Sequence, residues 1–200
     1  MKTPKAAYAF LLLLVACSVH PSAPADRSPA RPADPQSSYE PKSAPGAGQA
    51  LLARMAGDWE VEKTFYPREG GVPAKARGTC QQRMIHGGRF LQSDFTFENS
   101  DGASTGTGVI GFDPQTGRFT SFWVDSRSTR TSIRQSEGVF AGEEIVLFSK
   151  TLGEDGAARR SRTSSRLSKD GQHLDHRQWS VSENGAERLV MEMTFHRRSQ

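Results

Sequence analysis

The sequence lacks most of the motifs that mark an enzyme active site. It has no phosphate-binding loop, no His-Glu-x-x-His helix and no Cys-x-x-Cys pair, and it contains only two cysteines and five histidines among 200 residues. Such patterns supply the phosphate cradles, metal ligands and reactive thiols of many enzymes. The sequence therefore gives no support to an enzyme, and it predicts no catalytic residue, no metal site and no cofactor.

Strong net charge and long hydrophobic runs are also missing. The formal net charge is only +4, which gives no electrostatic argument for a nucleic-acid partner. The most pronounced apolar stretch, Tyr8–Ala16, is too short to span a bilayer, which needs about 20 residues. Because Lys2 and Lys5 precede it and small residues end it, the stretch has the layout of a secretory signal.

The end of this stretch resembles the bacterial lipobox. It closes on Leu-Val-Ala-Cys at Cys17, and the lipobox cysteine becomes the acylated first residue of the mature protein. The resemblance implies that residues 1–17 are a lipoprotein signal peptide and that Cys17 carries a lipid anchor. Ser18, rather than Asp, follows the cysteine, which in Gram-negative lipoproteins implies the outer membrane, facing the periplasm. A secretory signal cleaved elsewhere is the alternative.

Residues 18–47 differ in composition from the rest of the chain. They are rich in Pro, Ala and Ser, with Tyr39 as their aromatic residue, so they cannot bury enough apolar surface to offset the entropy of ordering. We expect a disordered tether here and a folded domain over residues 48–200. Cys80 is then the domain's one thiol, and a buried, hydrophobe-like cysteine is favoured over a reactive one.

Spacing predicts the architecture of the domain. Leu51, Leu52 and Met55 indicate one face of a short helix that ends at Gly57. Beyond it, glycine turns recur at intervals that hold one strand and a hairpin but no crossover helix, so consecutive strands should pair antiparallel. The longer interval from Gly117 to Gly142 should hold two strands. The turns lie at Gly87, Gly102, Gly117, Gly142, Gly156, Gly171 and Gly185.

A meander of about ten strands tends to close, because closure removes the exposed edges that invite aggregation. The sequence therefore predicts an all-β fold, an antiparallel meander that closes into a barrel with one short N-terminal helix. A barrel of this size should enclose a cavity. A two-sheet sandwich is the alternative that fits the same spacing.

Four segments carry a resemblance to a known family. In chain order they are Leu52–Trp59, Gly87–Leu91, Gly108–Pro114 and Trp123–Ser126. Together they resemble a family of secreted bacterial proteins known only as a domain of unknown function, with lipocalin-like (calycin) barrels. The resemblance covers Leu51–Arg197 and implies the architecture without implying an activity. Phe112 stands where the family's Gly-Tyr-Asp pattern has Tyr.

The candidate site combines large apolar side chains with a few polar ones, as a small-molecule pocket requires. Trp123 and Asp125 share strand parity with Phe119 and Ser121 and should face one space. The alternative is that the tryptophans fill the core and that Asp125 caps a turn. The candidate ligand-binding residues are Trp59, Arg89, Ser93, Phe95, Trp123 and Asp125.

The histidines and arginines suggest further sites. His173 and His176 should point to opposite faces of a strand, which argues against a shared zinc ion. Some calycin-like barrels hold haem through a histidine near the C-terminal strands, a place that His176 or His196 could take, although surface imidazoles are commoner. Three of the four arginines Arg159, Arg160, Arg162 and Arg166 share parity, so they form either a basic docking stripe or a solvated strand face.

These observations predict a lipid-anchored envelope protein whose barrel binds a small apolar or amphipathic ligand. The membrane, reached through the anchor, is the expected partner. A non-catalytic protein-interaction module is the alternative. A haem-binding barrel, or an enzyme on a small hydrophobic substrate with Asp125 as acid or base, is favoured less. The sequence leaves the oligomeric state open.

Overall fold

A computed structural model describes residues 34–40, 42–68, 70–100, 102–152 and 156–199. The chain divides into two compact units, Met1–Pro41 and Lys42–Gln200. In the first unit the described residues form a one-turn 3-10 helix, Pro35–Ser38, and the Asp34 carboxylate caps it by accepting a hydrogen bond from the Gln36 amide. The predicted signal peptide with Cys17, and residues 18–33 of the predicted tether, lie outside the described residues.

The second unit contains one helix and ten strands within the described ranges. They are α1 Ala47–Met55, β1 Gly57–Phe65, β2 Ala74–Ile85, β3 Phe90–Asn99, β4 Gly102–Asp113, β5 Arg118–Asp125, β6 Ser128–Gln135, β7 Glu144–Leu152, β8 Ala158–Leu167, β9 His173–Val181 and β10 Glu187–Arg197. The short helix and the strands that follow it confirm the all-β prediction. The interval from Gly117 to Gly142 holds β5 and β6, as its length suggested.

The strands form a closed barrel. Each strand pairs antiparallel with its neighbours in sequence, and β1 also pairs with β10, which joins the two ends of the sheet. The closed order confirms the barrel and excludes the sandwich. One join is much looser than the others: β6 and β7 share a single residue pair, Gln135 with Phe148, among the described residues, whereas β7 and β8 pair along the whole length of β7.

The N-terminal helix closes one end of the barrel. The Trp59 indole donates a hydrogen bond to the Met55 carbonyl (3.0 Å), and the Arg197 guanidinium lies over the Trp59 ring while it donates to the Ala56 carbonyl (2.7 Å). Gly57 has a φ of 143°, and a Cβ there would overlap the Arg197 side chain. The Gly-x-Trp sequence therefore fastens the end of α1 to the last strand.

Alternate strand positions face the interior and form a continuous core. Cys80 is 1% exposed and belongs to it, so the prediction of a buried, hydrophobe-like cysteine is confirmed, and burial raises the pKa of its thiol. Among the described residues, no helix is long and apolar enough to cross a membrane.

Candidate ligand-binding site

The barrel contains a cavity of about 340 Å³. Side chains from all ten strands line it, and Leu52 and Met55 of α1 reach it at the helix-capped end. Its volume falls at the lower end of the roughly 300–1,000 Å³ of small-molecule sites. The interior is thus large enough for a small ligand and too small for a bulky one.

One side of the cavity is an aromatic cluster, formed by Phe95, Phe97, Trp123 and Phe195. Phe95 lies at its centre, with ring centroids 5.4 Å from Trp123, 5.8 Å from Phe195 and 6.1 Å from Phe97. All four side chains line the cavity. Aromatic pairs in such geometries add about 0.5–1.5 kcal/mol each beyond the burial of their surface. The cluster therefore supplies both stability and an apolar surface for a ligand.

Glycine makes room for the indole in this cluster. A Cβ on Gly106 would overlap the Trp123 ring, and one on Gly108 would lie 3.3 Å from it. The Trp123 indole therefore packs flat against the backbone of β4. The Gly106-Thr107-Gly108 sequence serves close packing within a strand, as expected from its lack of a following helix.

A polar cluster also lines the cavity, formed by Arg134 of β6, Thr163 and Ser165 of β8, and His176 and Gln178 of β9. All five side chains line the cavity. The Ser165 hydroxyl and His176 Nδ1 are 2.8 Å apart, within hydrogen-bond distance. Burial, helped by the Arg134 charge, lowers the pKa of His176 to about 4. The imidazole is therefore uncharged near neutral pH.

Arg134 is the most unusual member of the polar cluster. Its Nε is buried without a hydrogen-bond partner, and no ion pair joins its guanidinium to a carboxylate among the described residues. Burial lowers its pKa, but a guanidinium stays charged in proteins. The cavity therefore holds a cation that the described protein groups leave uncompensated.

Three further charged residues line the cavity toward the end opposite α1. Lys63 Nζ lies 3.4 Å from the centroid of Phe97, and burial together with the Arg127 charge lowers the pKa of Lys63. The Asp125 carboxylate accepts hydrogen bonds from the Trp123 indole (2.8 Å) and the Arg127 amide (2.9 Å). Burial opposes ionisation of Asp125, but these hydrogen bonds outweigh it and hold its pKa below the ordinary value.

A family model matches most of the chain. The profile described as "Protein of unknown function (DUF1579)" matches residues 44–197. The chain belongs to the DUF1579 family. The resemblance to a family of unknown function is confirmed, while secretion and lipid anchoring stay predictions.

Solved structures place the DUF1579 barrel among known folds. The crystal structure of Rv2717c from M. tuberculosis matches 78% of this chain and 100% of its own, with 17% identity and a TM-score of 0.56. A de novo designed fluorescence-activating β-barrel matches 74% of this chain and 97% of its own, with 17% identity and a TM-score of 0.35. The first match shows a shared fold. No curated protein sequence matches the chain.

The structure of the DUF1579 domain brings four of the six candidate residues together. Ser93, Phe95, Trp123 and Asp125 line the cavity. The Ser93 hydroxyl accepts a hydrogen bond from Gln82 Nε2 (3.1 Å). The side-chain oxygen of Gln82, Oε1, is buried without a partner among the described residues. The two carboxylate oxygens of Asp125 are already occupied, as the capping alternative expected.

Trp59 and Arg89 lie apart from the lining of the DUF1579 cavity. Trp59 is 0% exposed and is covered by α1 and Arg197, so it belongs to the core. Arg89 lies on the exposed turn between β2 and β3, where its guanidinium donates to the carbonyls of Ser43 (3.1 Å) and His86 (3.3 Å). Arg89 therefore holds the segment before α1 rather than contacting the interior.

His173 and His176 lie on opposite faces of β9, as strand parity predicted. His176 faces the cavity, whereas His173 lies on the outside and packs edge-on against His196, with ring centroids 5.0 Å apart. Of the two histidines considered for haem, His176 is the one in the cavity. The described residues contain no group of three or more His, Cys, Asp or Glu side chains that could hold a metal ion.

Three arginines of β8, Arg160, Arg162 and Arg166, share the outward-facing parity and are paired with carboxylates. Arg160 and Arg162 each make two hydrogen bonds of 2.6–2.7 Å to one carboxylate, and Arg162 also lies over the Trp179 ring. The pairs are Arg160 with Glu137, Arg162 with Glu187 and Arg166 with Glu144. This pairing favours a solvated strand face over a basic docking stripe.

A Gly-x-Ser-x-Gly pattern lies within β4. Gly102-Ala103-Ser104-Thr105-Gly106 fits the Gly-x-Ser-x-Gly pattern of hydrolases, in which the serine sits on a sharp turn between a strand and a helix. Here the pattern lies inside β4, and the Ser104 hydroxyl is hydrogen-bonded to the Asn99 amide (2.9 Å). The pattern therefore lacks the geometry of a nucleophile elbow.

Proposed function

We propose that this DUF1579 barrel binds one small amphipathic ligand in its interior. The observation that carries the proposal is the mixed lining of the cavity of about 340 Å³, which contains both the aromatic cluster and the polar cluster. Binding sites for small molecules combine apolar walls with a few placed polar groups. The apolar walls supply affinity through burial, and the polar cluster supplies orientation.

Asp125 supports binding better than catalysis. Hydrogen bonds already occupy its carboxylate, and its lowered pKa keeps it ionised near neutral pH. A general acid or base works best with a pKa near the working pH. The enzyme alternative is therefore weaker than the binding function.

A cavity-filling variant tests the proposal. Ser121 and Thr120 are adjacent on β5, but Ser121 lines the cavity and Thr120 is exposed. We expect the neutral dye N-phenyl-1-naphthylamine to gain fluorescence with the wild type and with Thr120→Phe. Ser121→Phe fills the interior and should lose at least tenfold in dye affinity. Thermal melts followed by circular dichroism establish that both variants fold.

Two results would count against binding inside the barrel. Equal dye affinity in both variants would place the dye on the outer surface. Absence of dye binding to the wild type, together with no retained small molecule in native mass spectra of protein purified from its own source, would leave the cavity without a ligand. Either result would remove the proposal.

We also propose that the chain is exported and lipid-anchored through Cys17, with the barrel facing the periplasm. The sequence of residues 1–17 supports this, and several acyl chains give durable membrane attachment where one alone is marginal. Membrane fractions should contain the wild type and lose it in Cys17→Ala, and the N-terminal peptide should carry the mass of the acyl groups. Wild-type protein found unacylated in the soluble fraction would contradict the anchor.

A further inference from the structure

We infer that the ligand carries a single carboxylate and that Arg134 receives it inside the barrel. This inference rests on the proposed function, because it specifies the chemistry of the ligand in the same cavity. It places the charged end of the ligand at the polar cluster and the apolar end against the aromatic cluster.

The first argument is the unbalanced charge of Arg134. A buried cation is costly unless a counter-charge accompanies it. Water can satisfy the N–H groups of a guanidinium, but it leaves the charge uncompensated. Because no carboxylate among the described residues pairs with the Arg134 guanidinium, a bound anion would remove a cost that the protein alone carries.

The second argument is the overall charge of the cavity lining. Lys63, Arg127 and Arg134 are cationic, and Asp125 is the one carboxylate among the described lining residues. Asp125 already accepts hydrogen bonds from Trp123 and the Arg127 amide. The lining therefore has an excess of positive charge, which attracts an anion and disfavours a cationic ligand.

The third argument concerns the groups around Arg134. Ser121 lies opposite Arg134 on β5, and Ser165 and His176, which are within hydrogen-bond distance of each other, line the same cavity. These groups are uncharged near neutral pH and can form hydrogen bonds. They can satisfy the remaining lone pairs of a carboxylate without competing for its charge.

A monocarboxylate fits this arrangement better than a polyanion. The planar guanidinium matches the two oxygens of one carboxylate in a bidentate geometry. A phosphate monoester, with a charge near −2 at neutral pH, would bring an extra negative charge into an interior whose other surface is aromatic. The cavity therefore selects a small apolar or aromatic body with one acidic group.

Matched acids and alcohols test the inference by isothermal titration calorimetry. The probes are hexanoate, octanoate and decanoate, each compared with the primary alcohol of the same chain length. The proteins are the wild type, Arg134→Gln, and Arg118→Gln as a control, since Arg118 is exposed at the start of β5. Arg134→Met serves as a second variant if Arg134→Gln fails to melt cooperatively.

We expect the wild type to bind the best acid at least tenfold more tightly than its alcohol. Arg134→Gln should weaken acid binding by about 10- to 100-fold, as expected for a lost hydrogen bond to a charged group, and should change alcohol binding by less than about threefold. Arg118→Gln should change neither. Arg134→Lys keeps the charge but loses the planar fork, so its acid affinity should fall between those of the wild type and Arg134→Gln.

The outcomes separate this inference from the function on which it rests. If neither acids nor alcohols bind at any length, and the neutral dye is not bound either, the proposed function fails. If alcohols bind as tightly as acids, or if Arg134→Gln weakens both equally, the barrel is a binding protein but the inference is wrong. Loss of the acid preference in Arg127→Gln with Arg134→Gln unaffected would place the anion at the other end and also overturn it.

Discussion

The aromatic and polar clusters line the same cavity but are built differently. Phe95 contacts three other rings and is 7% exposed, so the surrounding rings hold its side chain in place. In the polar cluster, Arg134 lacks a protein partner for its Nε among the described residues. The comparison teaches that the aromatic cluster is held by contacts between its own rings, whereas the polar cluster contains a charged group that a ligand could pair with. Four predictions test this division, beginning with the largest effect.

Two tryptophans provide the sharpest contrast in stability. Trp59 is fully buried beneath α1, whereas Trp179 on β9 is half-buried and lies beside Arg162. We expect Trp59→Ala to lower the free energy of unfolding by about 3–5 kcal/mol, because it leaves a large cavity. Trp179→Ala should cost less than about 1 kcal/mol, because a half-buried ring loses less contact. Urea unfolding of both variants measures the difference, and similar costs would show that the half-buried Trp179 contributes as much packing as the core Trp59.

The polar cluster should make stability depend on pH. The pKa of His176 is about 4 in the folded protein, against an ordinary value of 6.5, so the unfolded chain takes up a proton first as pH falls. The stability that the uncharged, buried His176 contributes is therefore fully present above pH 6.5 and is lost as pH falls toward 4. Between pH 7.5 and 5 the free energy of unfolding should decrease by about 2 kcal/mol.

Urea unfolding at both pH values, with a variant at each histidine, isolates this contribution. His176→Gln should remove most of the decrease, whereas His173→Gln, a change on the outer surface, should retain it. An unchanged pH dependence in His176→Gln would assign the effect to other groups.

Arg134 should destabilise the protein when no ligand is bound. Replacing a buried, uncompensated charge with an apolar side chain of similar length removes its desolvation cost. We therefore expect Arg134→Met to raise the free energy of unfolding by about 1 kcal/mol in ligand-free protein. Thermal melts with and without octanoate measure this difference. At saturating octanoate the wild type should become the more stable of the two proteins. A large loss of stability without ligand would mean that Arg134 is a structural residue.

The ion pair on the outer face of β8 should contribute least to the stability of the protein. Arg162 and Glu187 form a two-bond ion pair that is partly exposed, with side-chain exposures of 21% and 36%. Such pairs contribute about 0.2–1 kcal/mol. A double-mutant cycle with Arg162→Ala and Glu187→Ala should give a coupling energy in this range. A value above about 2 kcal/mol would exceed what an exposed pair provides and would show that the outer face carries the electrostatic stability.

The barrel could be predicted because its signals are local. Glycine turns divide the chain into hairpins, and a hairpin fixes which strand pairs with which. The helix was also readable from Leu51, Leu52 and Met55. Trp123 was correctly assigned to the interior, since its alternation with Phe119 continues through β5.

The polar cluster could not be predicted in the same way. Alternation would place Ile133 inside and Arg134 outside, yet Ile133 is 62% exposed and Arg134 lines the cavity. The register of the β5–β6 hairpin, which sets Arg134 opposite Ser121, overrides the hydrophobic pattern. Trp59 and Arg89 were misjudged for a related reason: burial by α1 and contacts to the turn depend on packing between segments distant in sequence.

Among the described residues, β6 and β7 share a single residue pair, which makes their join the easiest place to widen the ring of strands. Every other join must break several backbone hydrogen bonds to separate, whereas this one must break few. Local opening takes place where the fewest contacts are lost. Amide hydrogens along β6 should thus exchange with solvent earliest in the barrel wall, and Arg134 lies on this strand.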